Sequence, residues 1–303
     1  MLKMTDFIAE LRRNLPSLEL RMEQPLSKYT SFRIGGNAEC IACPKTEAEL
    51  SALLRLCSEQ GVEPVILGAG TNVLAPDAGI RGLVIVLKDC LSGMKQISET
   101  AIRVMAGVTM ARAAVFAAGL GLSGLEFAHG IPGSVGGGVY MNAGAYGGEI
   151  KDVCTRVRIL DRQGNARWIS REEAGFSYRH SAVEDNPWIV AAAEFELIPG
   201  EEAAIKAKMQ ELIGKRRNSQ PLELPSAGSA FKRPATGYAA ALIDQTGLKG
   251  FRVGGAAVSE KHAGFVVNLG GATADDVQQL LRQVSDRVYD ATGVRLEPEV
   301  RIW

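Results

Sequence analysis

Eleven of the thirty residues from Gly119 to Gly148 are glycine. Without a Cβ, glycine takes positive φ and lets backbone N–H groups close on a ligand. Within the run, the segment Gly130 to Gly148 has too few apolar residues for a core element and too little charge to stay solvated as a loose loop. It reads as backbone buried against a large ligand, with Ser134 and Asn142 supplying polar groups. The alternative is a glycine-rich connection packed tightly on a sheet. The chain holds 34 glycines in all, against about 21 at ordinary usage.

A second cluster, Gly68-Ala69-Gly70-Thr71-Asn72, directly follows the apolar run Val65-Ile66-Leu67. A buried strand entering a tight turn with two side-chain donors has the grammar of an anion-binding nest. No Gly-Lys-Ser/Thr follows, so it is not a Walker loop, and Val73 stands where a dinucleotide fingerprint needs its third glycine. Taken alone, the segment also reads as an ordinary strand-to-turn loop.

Charge is balanced, with 34 Lys and Arg against 34 Asp and Glu, which leaves nucleic acid no electrostatic footprint. At 303 residues, 46% hydrophobic and 22% charged, the chain is an ordinary globular sequence with room for about two domains. The most apolar segment, Ala113 to Leu122, is short and broken by Gly119 and Gly121, so no membrane insertion is expected. Met1 to Glu10 lacks the apolar core of a signal peptide. Five scattered cysteines argue against a disulfide framework and for a reducing, cytoplasmic setting. Cys40 and Cys43 form a lone C-x-x-C without a second ligand pair, so no metal is expected.

Periodicity predicts a helix over Thr46 to Gln60 with a Thr cap, a strand at Pro64 to Leu67, strands at Leu83 to Leu87 and Ile102 to Ala106, and a helix at Thr109 to Ala118. A hairpin follows, with arms Val153 to Leu160 and Ala166 to Ser170, then a strand at Trp188 to Ile198. Pro199-Gly200 suggests a boundary. Beyond it come a charged helix from Glu201 to Arg217, a short helix near Tyr238 to Gln245, a strand at Gly264 to Asn268, and a long helix capped by Thr273 and stopped by Gly293. The expected division is 1–199, itself split near 75–90, and 200–303. The stretch from Pro298 to Trp303 reads as a terminal strand with Glu299 and Arg301 on one face.

Four motifs in order, from Tyr29-Thr30-Ser31-Phe32-Arg33-Ile34-Gly35-Gly36 almost to Trp303, carry a resemblance. They are Gly68 to Asn72; Ile131-Pro132-Gly133-Ser134-Val135-Gly136-Gly137 with Asn142 to Gly147; Ser177-Tyr178-Arg179-His180-Ser181; and Ala227 to Lys232 followed by Leu296 to Arg301. The chain resembles the UDP-N-acetylenolpyruvoylglucosamine reductases, in their shorter second type without a tyrosine loop. The resemblance implies an α+β fold: a two-part FAD-binding region of the vanillyl-alcohol-oxidase type plus a C-terminal α+β substrate-binding domain. It implies FAD, NADPH as hydride donor, a nucleotide-sugar substrate and a monomer. The glycine loop offers no Cys or His for covalent attachment, so FAD is expected to be noncovalent.

The resemblance also implies roles. Arg179 would hold the charge that builds on the substrate carboxylate, for which its bidentate fork is suited. Ser229 would give the proton, aided by a basic neighbour such as Lys232, and Glu299 would stabilise the carboxylate if burial raises its pKa. Thr30, Arg33, Gly68, Ala69, Gly70, Thr71, Asn72, Ile131, Pro132, Gly133, Ser134, Gly137 and Asn142 would contact FAD. Tyr178, Arg217 and Lys232 would contact substrate. Ala69 stands where the family usually has glycine, and alanine takes positive φ only at a cost. Read without the family, Arg179 is a loop arginine, Ser229 a turn residue and Glu299 half of a Glu–Arg pair. Two competing functions are an FAD-dependent oxidase or dehydrogenase on the same fold and a nonenzymatic nucleotide-binding module.

Overall fold

The computed structural model describes residues 3–303, so Met1 and Leu2 of the Met1–Glu10 stretch lie outside the described residues. Chain contacts divide it into two compact units: 1–22, 40–69 and 82–214 form the first, and 23–39, 70–81 and 215–303 the second. This differs from the expected boundary near 200. Gly200 follows a strand, but the first unit runs on to 214, into the helix Glu202–Ser219, and two segments far back in the sequence belong with the C-terminal unit.

In the first unit a five-stranded antiparallel sheet runs in the order Ala166–Ser170, Cys154–Leu160, Ile189–Glu196, Ala101–Met105, Met94–Gln96. The hairpin forms as its sequence predicts, with Arg158 opposite Trp168. Alternation places Val157 and Ile159 in the core, while the Arg103, Arg156 and Arg158 guanidiniums lie 4.8, 5.1 and 5.8 Å from the Trp168 ring. A second sheet orders Glu19–Pro25, Asn37–Cys43, Ile80–Val86 and Val65–Leu67, the last two parallel, and its first three strands run through the chain divisions at 22/23, 39/40 and 81/82. The helix Glu47–Glu59 starts where the Thr46 hydroxyl accepts from Glu49 N and buries Leu50, Leu53, Leu54 and Cys57. Each such leucine contributes about 1.5–3 kcal/mol when fully buried.

The second unit holds a four-stranded antiparallel sheet ordered Ser226–Ser229, Phe265–Asn268, Ala256–Val258, Arg252–Val253. The helix Ala274–Thr292 buries Val277, Leu280, Leu281, Val284 and Val288 in the same core as that sheet. A reciprocal Thr273–Asp276 capping box opens it and Gly293, at φ 72°, closes it. The terminal strand is shorter than its composition suggests. Arg301–Ile302 pairs in parallel with Val73–Leu74, and Pro298 before it makes an isolated antiparallel bridge to Phe231. Glu299 therefore lies ahead of the strand, not on it. Among the described residues no helix is long and apolar enough to cross a membrane.

Candidate active site

Part of the glycine run is a helix, Val135–Tyr140, where a ligand-wrapped loop was expected. Packing explains it. A Cβ on Gly136 would come within 2.9 Å of Ala106 Cβ, and one on Gly138 within 2.7 Å of Met110 Sδ, so these two glycines let the helix lie against its neighbours. Gly137 is different: it is exposed, and a Cβ there would meet only Ser134 Oγ, at 3.6 Å. Ser134 caps the helix, its hydroxyl accepting from Gly137 N. A Cβ on Gly68 would sit 2.6 Å from that same hydroxyl and 3.9 Å from Gly137 N. Gly68 and Gly137 thus flank the buried Ser134 hydroxyl, with Gly133 at φ 148° just before it.

His129 stands immediately ahead of this loop, and its Nδ1 is buried without a hydrogen-bond partner. An orphaned imidazole nitrogen costs about 1–3 kcal/mol, which a bound molecule with polar groups would relieve. Accessible glycine backbone together with an orphaned polar atom fits a cofactor such as FAD. The motif reading passes over His129; a histidine directly preceding a glycine loop is the signal that finds it.

In the second unit, Gly70 takes φ 62°, and a Cβ there would collide with the Tyr29 carbonyl, so this glycine serves the chain itself. Ala69 is absent from the left-handed residues, and the Gly-to-Ala change carries no backbone strain. The Thr30 hydroxyl donates to Ile34 O at 3.0 Å and Thr30 is buried. Asn72 Nδ2 donates to Glu299 O at 3.1 Å, and Asn72 O accepts from Arg301 N. The groups expected to reach a cofactor from Thr30 and Asn72 have structural duties. Arg33 is exposed, at φ 55°.

Glu299 N donates to Ala230 O at 2.9 Å, Phe231 bridges to Pro298, and Lys232 N donates to Glu297 O. This antiparallel pairing brings Ser229 and Glu299 to neighbouring positions. Ser229 is exposed at the end of a bulged strand in which Gly228 takes φ 77°. Lys232 Nζ lies 3.4 Å from Glu297 Oε2, an ion pair two residues before Glu299. Glu299 is half-buried.

In the first unit, Arg179 lies in a tight turn closed by two bonds, Ser177 N to His180 O at 3.0 Å and His180 N to Ser177 O at 3.3 Å. Its φ of 55° is left-handed, which costs an ordinary side chain about 1–2 kcal/mol. Glu23, Arg33, Asp89, Asn142 and Tyr146 share this left-handed region, and Arg179 is half-buried. The Arg179 guanidinium rests 5.3 Å from the ring centre of the half-exposed Tyr178.

The basic run behaves unevenly. Ile205, Met209, Leu212 and Arg216 recur at helical spacing, and all four are buried. Arg217 is exposed, its carbonyl accepting from Lys261 Nζ at 2.7 Å. Extending the apolar periodicity through the charged turn would have singled out Arg216. All five cysteines are free; Cys40 and Cys43 are buried, and burial pushes the Cys57 and Cys154 thiols up to about 12.

The FAD binding domain family matches residues 38–170, and the C-terminal domain family of UDP-N-acetylenolpyruvoylglucosamine reductase matches residues 220–303. A UDP-N-acetylenolpyruvoylglucosamine reductase of Agathobacter rectalis is 45% identical over 307 aligned positions, 98% of each chain. One from Clostridioides difficile is 42% identical, over 98% of this chain and 97% of the relative. The crystal structure of the Thermus caldophilus UDP-N-acetylenolpyruvylglucosamine reductase superposes with a TM-score of 0.77 at 35% identity, covering 94% of this chain and 98% of that one. These likenesses span both units, and the chain belongs to the UDP-N-acetylenolpyruvoylglucosamine reductase family.

Proposed function

We propose that the protein reduces the enolpyruvyl group of UDP-N-acetylglucosamine enolpyruvate to give UDP-N-acetylmuramate, a step in peptidoglycan precursor synthesis. NADPH is the hydride source and noncovalent FAD the carrier. The observation that supports the reading is the Glu299 N to Ala230 O bond, which brings the backbone of Glu299 next to the Ser229-Ala230 segment in a chain of this family. Bound FAD supplies hydride transfer from NADPH to the substrate. Gly68, Gly133, Ser134 and Gly137 would hold it through backbone, with His129 contributing its orphaned nitrogen.

The remaining chemistry falls to side chains. Once the terminal methylene carbon has gained hydride, electron density rests on the adjacent carbon and its carboxylate. The Arg179 fork holds that charge, Glu299 helps to stabilise the carboxylate, and Ser229 Oγ delivers a proton to the adjacent carbon, completing the saturated product. Tyr178, Arg217 and Lys232 are assigned to the rest of the substrate. In this reading the protein works as a monomer in the cytoplasm.

The test is an anaerobic visible spectrum of the flavin-loaded protein. NADPH should bleach the flavin band, and the enolpyruvyl nucleotide sugar should restore it without oxygen. Restoration by oxygen alone would point to an oxidase, and a protein that takes up no FAD would be a binding module.

A further inference from the structure

The family motif places Asn142 among the cofactor ligands, but its hydrogen bonds run elsewhere. Asn142 is 1% exposed. Its Nδ2 donates to Ser177 O at 2.9 Å and to Glu149 Oε2 at 2.8 Å, and its Oδ1 accepts from Lys151 N at 2.9 Å. Both donor hydrogens and one acceptor lone pair are used within the protein. Its own φ is 42°, a conformation that asparagine tolerates better than most side chains.

The Ser177 carbonyl that Asn142 holds is also one end of the turn that carries Arg179, since it accepts from His180 N. The other end is pinned as well. Ser181 is fully buried and its hydroxyl donates to Tyr140 O at 2.9 Å. The His180 ring nitrogens lie 3.3 Å from Glu184 Oε2 and 3.0 Å from Asp185 Oδ2. A turn that must keep an arginine at φ 55° needs such over-determination. The same asparagine lies two residues beyond the helix Val135–Tyr140, whose first turn carries the bare glycine backbone.

We infer that Asn142 is a positioning residue for Arg179, fixing the left-handed turn by its bond to Ser177 O, and that it is not a ligand of the cofactor. The inference rests on the role proposed above for Arg179. Ser181 and His180 hold the far side of the turn, and Glu149 orients the Asn142 amide. Side-chain support of this kind keeps a reacting group within the narrow geometry that catalysis demands.

The discriminating variant is Asn142→Gly, which accepts the left-handed backbone but removes the amide. FAD affinity, measured by flavin fluorescence on titrating apo-protein, should stay within about threefold of wild type. The turnover number should fall about 100-fold, a 2.7 kcal/mol effect at 1.36 kcal/mol per decade. Asn142→Gly with Arg179→Ala should be no slower than Arg179→Ala alone, because the amide acts through the arginine. FAD affinity falling in parallel with turnover would restore Asn142 as a cofactor ligand and overturn the inference. So would a double variant slower than Arg179→Ala by the full Asn142→Gly factor. Normal turnover in Arg179→Ala alone would remove the role proposed for the arginine, and this inference with it. Glu149→Ala, at a half-exposed position, guards against misfolding: about fivefold lower turnover with FAD retained is expected, and unchanged turnover would count against the inference.

Discussion

Two adjacent glycines in one short helix should respond oppositely to the same substitution. In an unhindered helix, Gly to Ala stabilises by about 0.5–1 kcal/mol. At Gly136 the new Cβ would lie 2.9 Å from Ala106 Cβ and 3.3 Å from Ala106 O, whereas carbon atoms settle at about 3.5–4.0 Å. The helix would have to retreat by about 0.6–1.1 Å. Overpacking of this kind costs about 1–3 kcal/mol. It also strains the bonds Gly136 N to Ala106 O at 2.9 Å and Val135 N to Val108 O at 2.8 Å. Net destabilisation of Gly136→Ala should be about 1–3 kcal/mol. At Gly137 the Cβ meets only Ser134 Oγ, at 3.6 Å, so Gly137→Ala should stabilise the apo-protein by about 0.5–1 kcal/mol. The same methyl group occupies the backbone face assigned to FAD, and should weaken FAD binding tenfold or more, about 1.4 kcal/mol. Urea denaturation of the apo-proteins reads the first pair of effects, and fluorescence titration with FAD the second. A Gly137→Ala protein that binds FAD like wild type would refute the assignment of this face.

His129→Leu should leave apo-protein stability unchanged or raised, since it removes an unsatisfied buried nitrogen, while lowering FAD affinity about tenfold; thermal melts with and without FAD separate the two effects. Ser229→Ala should keep normal flavin bleaching by NADPH but slow its recovery with the enolpyruvyl substrate by about 10²–10⁴-fold, as followed by anaerobic stopped-flow absorbance. The Asp276 carboxyl is held below its ordinary 3.8 by the backbone N–H groups of Thr273 and Gly255. A lowered folded-state pKa gives stability that is fully present above 3.8 and lost as pH falls through the lowered value. Asp276→Asn should flatten that acid-side loss in denaturation midpoints measured across the same range.

Where a signal is local, the chain reads directly. Thr46, Thr109 and Thr273 start helices by accepting from a backbone N–H three residues on, and the apolar spacing of Val277, Leu280, Leu281, Val284 and Val288 gives the buried face outright. The unit boundary is not local: 23–39 and 70–81 join a core whose other members lie beyond 215, and no window of sequence displays that. Glycine is ambiguous for a different reason. A missing Cβ serves close packing at Gly136 and an open face at Gly137, and only the neighbours tell these apart.

Polar side chains near the motifs carry the same ambiguity, and resolving it shifts the chemistry. An amide looks identical in sequence whether it bonds a ligand or a carbonyl 35 or 227 residues away, as Asn142 and Asn72 do. Thr30, Asn72 and Asn142 all bond the chain itself, so under the proposed function recognition of the cofactor in the first unit would fall to backbone at Gly68, Gly133 and Gly137 and to the His129 nitrogen. The amides are left to hold other residues: Asn72 grips the Glu299 carbonyl and Asn142 the Ser177 carbonyl. Each asparagine thus fixes the backbone at or beside a residue assigned to charge stabilisation, Glu299 in one unit and Arg179 in the other. Substitutions at these asparagines should therefore register in turnover before they register in cofactor affinity.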